Sequence, residues 1–236
     1  MIFTEPYPLL GVISPWNYPF HNFMNHIISG IFAGCGVVVK VSEFSSYSAQ
    51  YFVNIVKECL KVNGFDPDLV QVVTGFAGAG QALVACDDVD KIIFTGSPGV
   101  GRRVMEGASS FLKPVVLELG GKDPMIFTET TPLDDCVAWS MRGVYQNAGQ
   151  NCCGVERLFV YSSIFDDFIA KITPLVNNMR QGDPLRRNVD CGAMCMPHAA
   201  ARIQVSTASG MNSFEIFFGI IVIFALLRLR NLLMMR

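Results

Sequence analysis

Between Leu9 and Ile93 short apolar runs alternate with longer patterned stretches, the rhythm of strand, helix, strand. The spacing predicts strands at Leu9–Ser14, Val37–Val41, Leu69–Thr74, Lys91–Thr95 and Pro114–Leu119. Each is rich in Val, Ile and Leu, as a strand buried on both faces should be. Helical spacing fills the intervals Asn22–Phe32, Ser45–Val62, Gly78–Ala85 and Gly99–Ser109, with Ser45 or Ser46 placed to cap the second. Repeated β-α units of this kind predict an α/β fold on a doubly wound parallel sheet. Such sheets bind ligands at the carboxyl ends of their strands.

After Gly120-Gly121 the rhythm resumes with a strand at Met125–Phe127, a helix near Leu133–Gln146, a strand at Arg157–Tyr161 and a helix near Phe165–Met179. A second α/β unit is expected there. The boundaries read as 1–119, 120–205 and a divergent hydrophobic tail, 206–236. Within the tail, Ile216–Leu227 carries no charge, but as a helix it would reach only about 18 Å against a hydrocarbon slab of roughly 30 Å. Extending it brings in Glu215 or Arg228 and Arg230, which are costly at mid-bilayer. An ending that packs or aggregates is favoured over a span or an interfacial anchor. Membrane contact through 214–236 stands as the alternative.

Composition sharpens this picture. The 236 residues are 51% hydrophobic and only 16% charged, too apolar for disorder. A formal charge of −2, from 18 basic and 20 acidic residues, leaves no electrostatic footprint for nucleic acid. Eight cysteines lie scattered without paired C-x-x-C units and with only three His, so neither a metal cluster nor a disulfide framework is expected. Prolines and polar residues interrupt the first thirty positions, and the start reads as cytoplasmic and unprocessed.

Several strings could carry chemistry. Tyr145-Gln-Asn-Ala-Gly-Gln-Asn-Cys152-Cys153-Gly154 sets two thiols among amides before a predicted strand, although a buried cysteine commonly serves as a small hydrophobe. Glu118 closes a run expected to be buried, where desolvation would suit it to act as a base; the bland alternative is an exposed strand end. In Pro15-Trp16-Asn17-Tyr18-Pro19 two prolines bracket an amide that could donate to an oxyanion, or simply mark a turn. Phe94-Thr-Gly96-Ser97-Pro-Gly99 is a glycine-rich strand-to-helix turn whose N–H groups could meet a phosphate, without matching G-x-G-x-x-G. Lys40 and Glu43 close a strand, where they could hold ribose hydroxyls or face water.

In order and spacing these pieces together resemble the NAD(P)-dependent aldehyde dehydrogenase superfamily. The motifs are Pro15-Trp-Asn-Tyr-Pro19, Lys40-Val-Ser-Glu43, Phe94-Thr-Gly-Ser97, Glu118-Leu-Gly-Gly-Lys122 and Gly149-Gln-Asn-Cys152. Glu118 and Cys152 stand 34 positions apart, as that pattern expects for base and nucleophile. The resemblance runs from Leu9 to about Gln204. It implies a Rossmann-like cofactor half and an incomplete α/β catalytic half.

The resemblance also implies roles. Cys152, as thiolate, would attack an aldehyde carbonyl, with the oxyanion held by Asn17 and the Cys152 N–H. Glu118 would then draw a proton from the water that hydrolyses the thioester. Cys153 is expected to point elsewhere. Lys40 and Glu43 would contact the adenosine ribose, Gly96 and Ser97 the pyrophosphate, with further cofactor contacts from Trp16 and Gly120. A carboxylate at Glu43 repels a 2′-phosphate, so NAD is favoured over NADP. Departures are Val41 for the usual proline, Cys35 for the usual asparagine, and the lack of a Glu-x-x-Phe-Gly-Pro motif. The expected activity is therefore oxidation of a small-molecule aldehyde, with impaired turnover in a fragmentary chain. A homo-oligomer or a full-length paralogous subunit is a candidate partner. The alternative is a non-catalytic cofactor-fold binding or regulatory module.

Overall fold

The computed structural model describes residues 4–196 together with Ala199. The chain divides into two compact units, Met1–Gly120 and Gly121–Arg236. The tail 206–236 lies outside the described residues.

Unit 1 carries strands β1 (Leu9–Ser14), β2 (Gly36–Val41), β3 (Val70–Val73), β4 (Lys91–Gly96) and β5 (Val115–Leu119). They form one parallel sheet in the order β3-β2-β1-β4-β5, with Val12 beside Val39 on one side and Ile93 on the other. Helices α1 (Pro19–Phe32), α2 (Ser46–Val62), α3 (Ala77–Ala85) and α4 (Pro98–Ser109) fill the intervals. Side-chain alternation along the strands then sorts the core into two layers. Val12, Val37, Val39, Val41 and Val70 face Phe23 and Ile27 of α1 and Val53 and Val56 of α2. Ile92 and Phe94 of β4 pack with Leu83 and Val84 of α3 and Val104 and Ala108 of α4. The doubly wound parallel sheet read from the sequence is present.

The departures have local causes. Helices α1 and α4 begin earlier than expected because Pro19 and Pro98 occupy their first turns, where a missing N–H costs nothing. Ser45 stands at the N-cap position of α2 as expected, but its side chain makes no capping bond to the helix. A 3-10 turn, Glu43–Ser45, leads into the helix, and Ser42 Oγ caps that turn by accepting from the Phe44 N–H at 3.4 Å. The carbonyl of Ser42 is left as an acceptor, so the Ser45 and Ser46 hydroxyls donate to it at 3.2 and 3.3 Å.

Strand β5 also corrects an expectation. Among the described residues it ends the sheet, pairing with β4, and it is not buried on both faces: Val115, Leu117 and Leu119 are half-buried while Val116 and Glu118 are exposed. Val115, Leu117 and Leu119 pack against the core of α3 and α4, and the alternation of a strand turns Val116 and Glu118 to the opposite face.

Unit 2 pairs β6 (Asp123–Phe127) and β7 (Val155–Val160) in parallel. Helices α5 (Leu133–Tyr145) and α6 (Ser162–Asn177) close over a core that includes Phe127, Cys136, Val144, Leu158, Phe168 and Ile172. Helix α5 approaches β7 so closely that a Cβ on Gly143 would lie 2.7 Å from Val155 Cγ2. Beyond α6, Arg180 forks onto both oxygens of Asp190 at 3.0 Å beside the bridge between Gln181 and Cys191. Among the described residues no helix is long and apolar enough to cross a membrane, and no group of acidic, His or Cys side chains could hold a metal ion.

Candidate functional site

The strand order reverses direction between β1 and β4, since β2 and β3 add on one side and β5 on the other. In an open parallel sheet the crevice for a ligand lies outside the carboxyl ends at that point. Every candidate residue of unit 1 stands on this rim. Trp16 and Asn17 follow β1, Lys40 and Glu43 close β2, Gly96 and Ser97 close β4, and Glu118 and Gly120 close β5.

Lys40 is only 6% exposed, unusual for an ammonium unless it is paired. Its Nζ lies 4.0 Å from Glu43 Oε2, an oxygen that also accepts from Ser42 Oγ at 3.4 Å. A buried cation and a half-exposed carboxylate thus share one strand end, a donor and an acceptor set for a polyol. Across the switch point, α4 opens with Ser97 at its N-cap and no side-chain cap. Its leading N–H groups and the positive end of its dipole suit an anion. A Cβ at Gly96 would meet the Phe94 ring at 2.6 Å, whereas one at Gly99 would meet nothing within 4 Å. Glycine at 96 therefore lets the ring lie under the turn, and Gly99 keeps the approach open.

Asn17 lies half-buried between β1 and α1. Its Oδ1 accepts a hydrogen bond from Asn22 Nδ2 at 3.2 Å. Glu118 does not occupy the desolvated position expected of it; on the edge strand its carboxylate is exposed.

Cys152 belongs to unit 2 and is approached through an unusual backbone. Asn147, Ala148 and Gly149 have φ of 56°, 57° and 71°, three successive left-handed residues. Reciprocal bonds brace this turn: Asn147 Nδ2 donates to the Gln150 carbonyl at 3.2 Å, and Gln150 Nε2 donates to the Asn147 carbonyl at 3.1 Å. Gln150 Oε1 in turn accepts from the Cys195 N–H at 2.7 Å.

The turn delivers two neighbouring thiols to one amide oxygen. Asn151 Oδ1 accepts from Cys152 Sγ at 3.9 Å, from Cys153 Sγ at 3.3 Å and from the Cys153 N–H at 3.4 Å. Cys153 therefore does not point elsewhere. Burial pushes the Cys152 thiol above its ordinary range, and the adjacent Cys153 pushes it further. The resting form here is the thiol, so forming the thiolate expected of a nucleophile requires a base to remove its proton.

Sequence reading passed over Asn22, Asn151 and Ser42. Asn151 could have been suspected from its place beside two cysteines, and Ser42 from its place before a turn. Nothing in the spacing marks Asn22, because its bond to Asn17 depends on where α1 starts.

Comparison with known proteins matches residues 1–219 to the aldehyde dehydrogenase family. An aldehyde dehydrogenase of Agaricus bisporus is 38% identical over 208 residues, covering 87% of this chain and 41% of the relative. Among solved structures, an NAD-dependent aldehyde dehydrogenase from Sinorhizobium meliloti superposes with a TM-score of 0.82 at 35% identity, covering 87% of this chain and 40% of that one. The NAD+ complex of a Bacillus cereus aldehyde dehydrogenase gives 0.76 at 30% identity, with coverages of 87% and 41%. The chain spans about two-fifths of the length of these relatives.

Proposed function

The chain belongs to the aldehyde dehydrogenase family, and from that premise we propose that it binds NAD and serves the oxidation of a small-molecule aldehyde to a carboxylic acid. One observation carries the reading: the candidate residues of unit 1 line the carboxyl rim of one parallel sheet, with a buried Lys40 held against Glu43. That donor set fits a dinucleotide. Lys40 and Glu43 would hold the adenosine ribose hydroxyls, and the Glu43 carboxylate disfavours a 2′-phosphate. The uncapped N-terminus of α4 with Gly96 and Ser97 would hold the pyrophosphate, with Trp16 and Gly120 flanking. When bound, NAD supplies an acceptor for hydride.

The remaining chemistry falls to side chains. Cys152 Sγ, once deprotonated, would form the bond to the aldehyde carbon. Each unit carries a donor suited to an oxyanion, the Asn17 carboxamide in unit 1 and the Cys152 N–H in unit 2. Glu118 would take a proton from the water that releases the acid. The raised thiol and the exposed Glu118 are compatible with impaired turnover in this first reading, and they also favour a second one, in which the chain is a non-catalytic cofactor-binding or regulatory module.

Two measurements on the purified chain test this. NAD titration followed by tryptophan quenching should saturate, and Lys40→Met should weaken it at least tenfold. NAD-dependent oxidation of a generic aldehyde should be abolished in Cys152→Ala. Binding without turnover favours the second reading. Failure to bind NAD overturns both.

A further inference from the structure

We propose that Asn22 is the positioning residue for the Asn17 carboxamide, fixing which of its two ends is offered to a developing oxyanion. The inference rests on the reading of Asn17 as an oxyanion donor. A carboxamide has nearly isosteric ends of opposite polarity, so backbone stiffness in the Pro15–Pro19 segment does not decide whether N–H or C=O is presented. A fixed hydrogen-bond donor does.

Asn22 Nδ2 donates to Asn17 Oδ1 at 3.2 Å, with both residues half-buried. Because Oδ1 and Nδ2 sit on the same trigonal carbon, holding the oxygen towards α1 turns the amino end away from it. The donor is itself pinned. Pro19 fills the first turn of α1, the Asn22 N–H donates to the Tyr18 carbonyl at 2.9 Å, and the next residue, Phe23, is fully buried under the sheet. Asn22 is thus tied to the Asn17 segment through its backbone and its side chain.

The test separates polarity from structure with three variants of the full chain. Asn22→Leu keeps the volume and removes the donor. Asn22→Asp keeps the shape but offers only acceptors at neutral pH, which draws the Asn17 amino group towards α1. Asn17→Ala provides the background for a double-mutant cycle. Asn22→Leu should lower kcat about tenfold and Asn22→Asp more, with KM and NAD affinity within twofold of the parent, since losing an oxyanion donor outright costs about 10²–10³ in rate. In the Asn17→Ala background neither substitution should lower kcat further.

Additive losses in that background, or equal effects of Leu and Asp, overturn the proposal. If the parent chain binds NAD without turnover, the catalytic reading has failed on its own account. The positioning is then decided by the side-chain 15N–1H resonances of Asn17, assigned by their disappearance in Asn17→Ala. They should shift in Asn22→Leu and shift differently in Asn22→Asp; unchanged resonances refute it.

Discussion

Replacing Ala148 with glycine should stabilise the second unit, because a non-glycine residue is held left-handed one turn before the cysteine pair. Ala148 sits at φ 57° between Asn147 and Gly149, both also at positive φ. An L-residue with a Cβ loses about 1–2 kcal/mol in that region. Glycine recovers this but adds freedom to the unfolded chain, worth about 0.5–1 kcal/mol in the opposite direction. Taken at the midpoints the net gain is about 0.75 kcal/mol, which for a chain of this size raises Tm by roughly 1.5–3 °C.

The two tryptophans make the measurement local, since Trp16 lies in unit 1 and the exposed Trp139 lies on α5 of unit 2. Urea unfolding of Ala148→Gly in a Trp16→Phe background should move the midpoint up with an unchanged slope. Gly149→Ala is the mirror control. Its added Cβ would meet the Val144 carbonyl oxygen at 3.5 Å, an ordinary contact, so a loss of about 1 kcal/mol would report backbone strain alone. A neutral or destabilising Ala148→Gly, with Gly149→Ala behaving as stated, would refute the strain argument.

Three further outcomes are expected. Because Cys153 helps push the Cys152 thiol up, Cys153→Ala should move the pH profile of Cys152 alkylation downward, and mass spectrometry of iodoacetamide adducts would show an unmoved profile if the thiols do not interact. Lys113 Nζ donates to the carbonyls of Val84 at 3.0 Å and of Cys86 at the end of α3, so Lys113→Met should cost about 1–3 kcal/mol in denaturant unfolding; a change within error would sink that role. The side-chain hydrogen bonds from Arg180 hold the Asp190 carboxyl at about 2, against an ordinary 3.8. A depressed carboxylate favours the folded loop above the ordinary value and loses that contribution as pH falls through about 2. The carboxyl 13C titration of Asp190 should therefore have its midpoint near 2 and move up in Arg180→Gln, and an ordinary midpoint in the parent chain would contradict the fork.

Much of the first unit was legible because its information is local. Runs of Val and Ile at strand length, separated by amphipathic stretches, specify the element order, and β1 coincides with the expected Leu9–Ser14. The rim residues were legible for the same reason: each lies within a few positions of a strand end, and a parallel sheet gathers those ends on one edge. Helix starts shifted only where proline or a 3-10 turn intervened.

What spacing could not reveal depends on partners far along the chain or on polarity within a contact. Glu118 follows three apolar residues, yet it is exposed because β5 packs only the face of Val115, Leu117 and Leu119 against the core, which only the packing of separate segments decides. Cys152 and Cys153 are adjacent in any chain, but only the fold beyond the left-handed turn brings both sulfurs to the Asn151 oxygen, and burial with the neighbouring thiol favours the protonated form of Cys152. The sequence by itself determined the elements, the parallel α/β architecture and the roster of chemically able residues, since hydrophobic periodicity and turn residues act over a few positions. Tertiary structure decided which of those side chains are desolvated and which end of each amide is offered, because burial and hydrogen-bond polarity arise only when separate segments pack together.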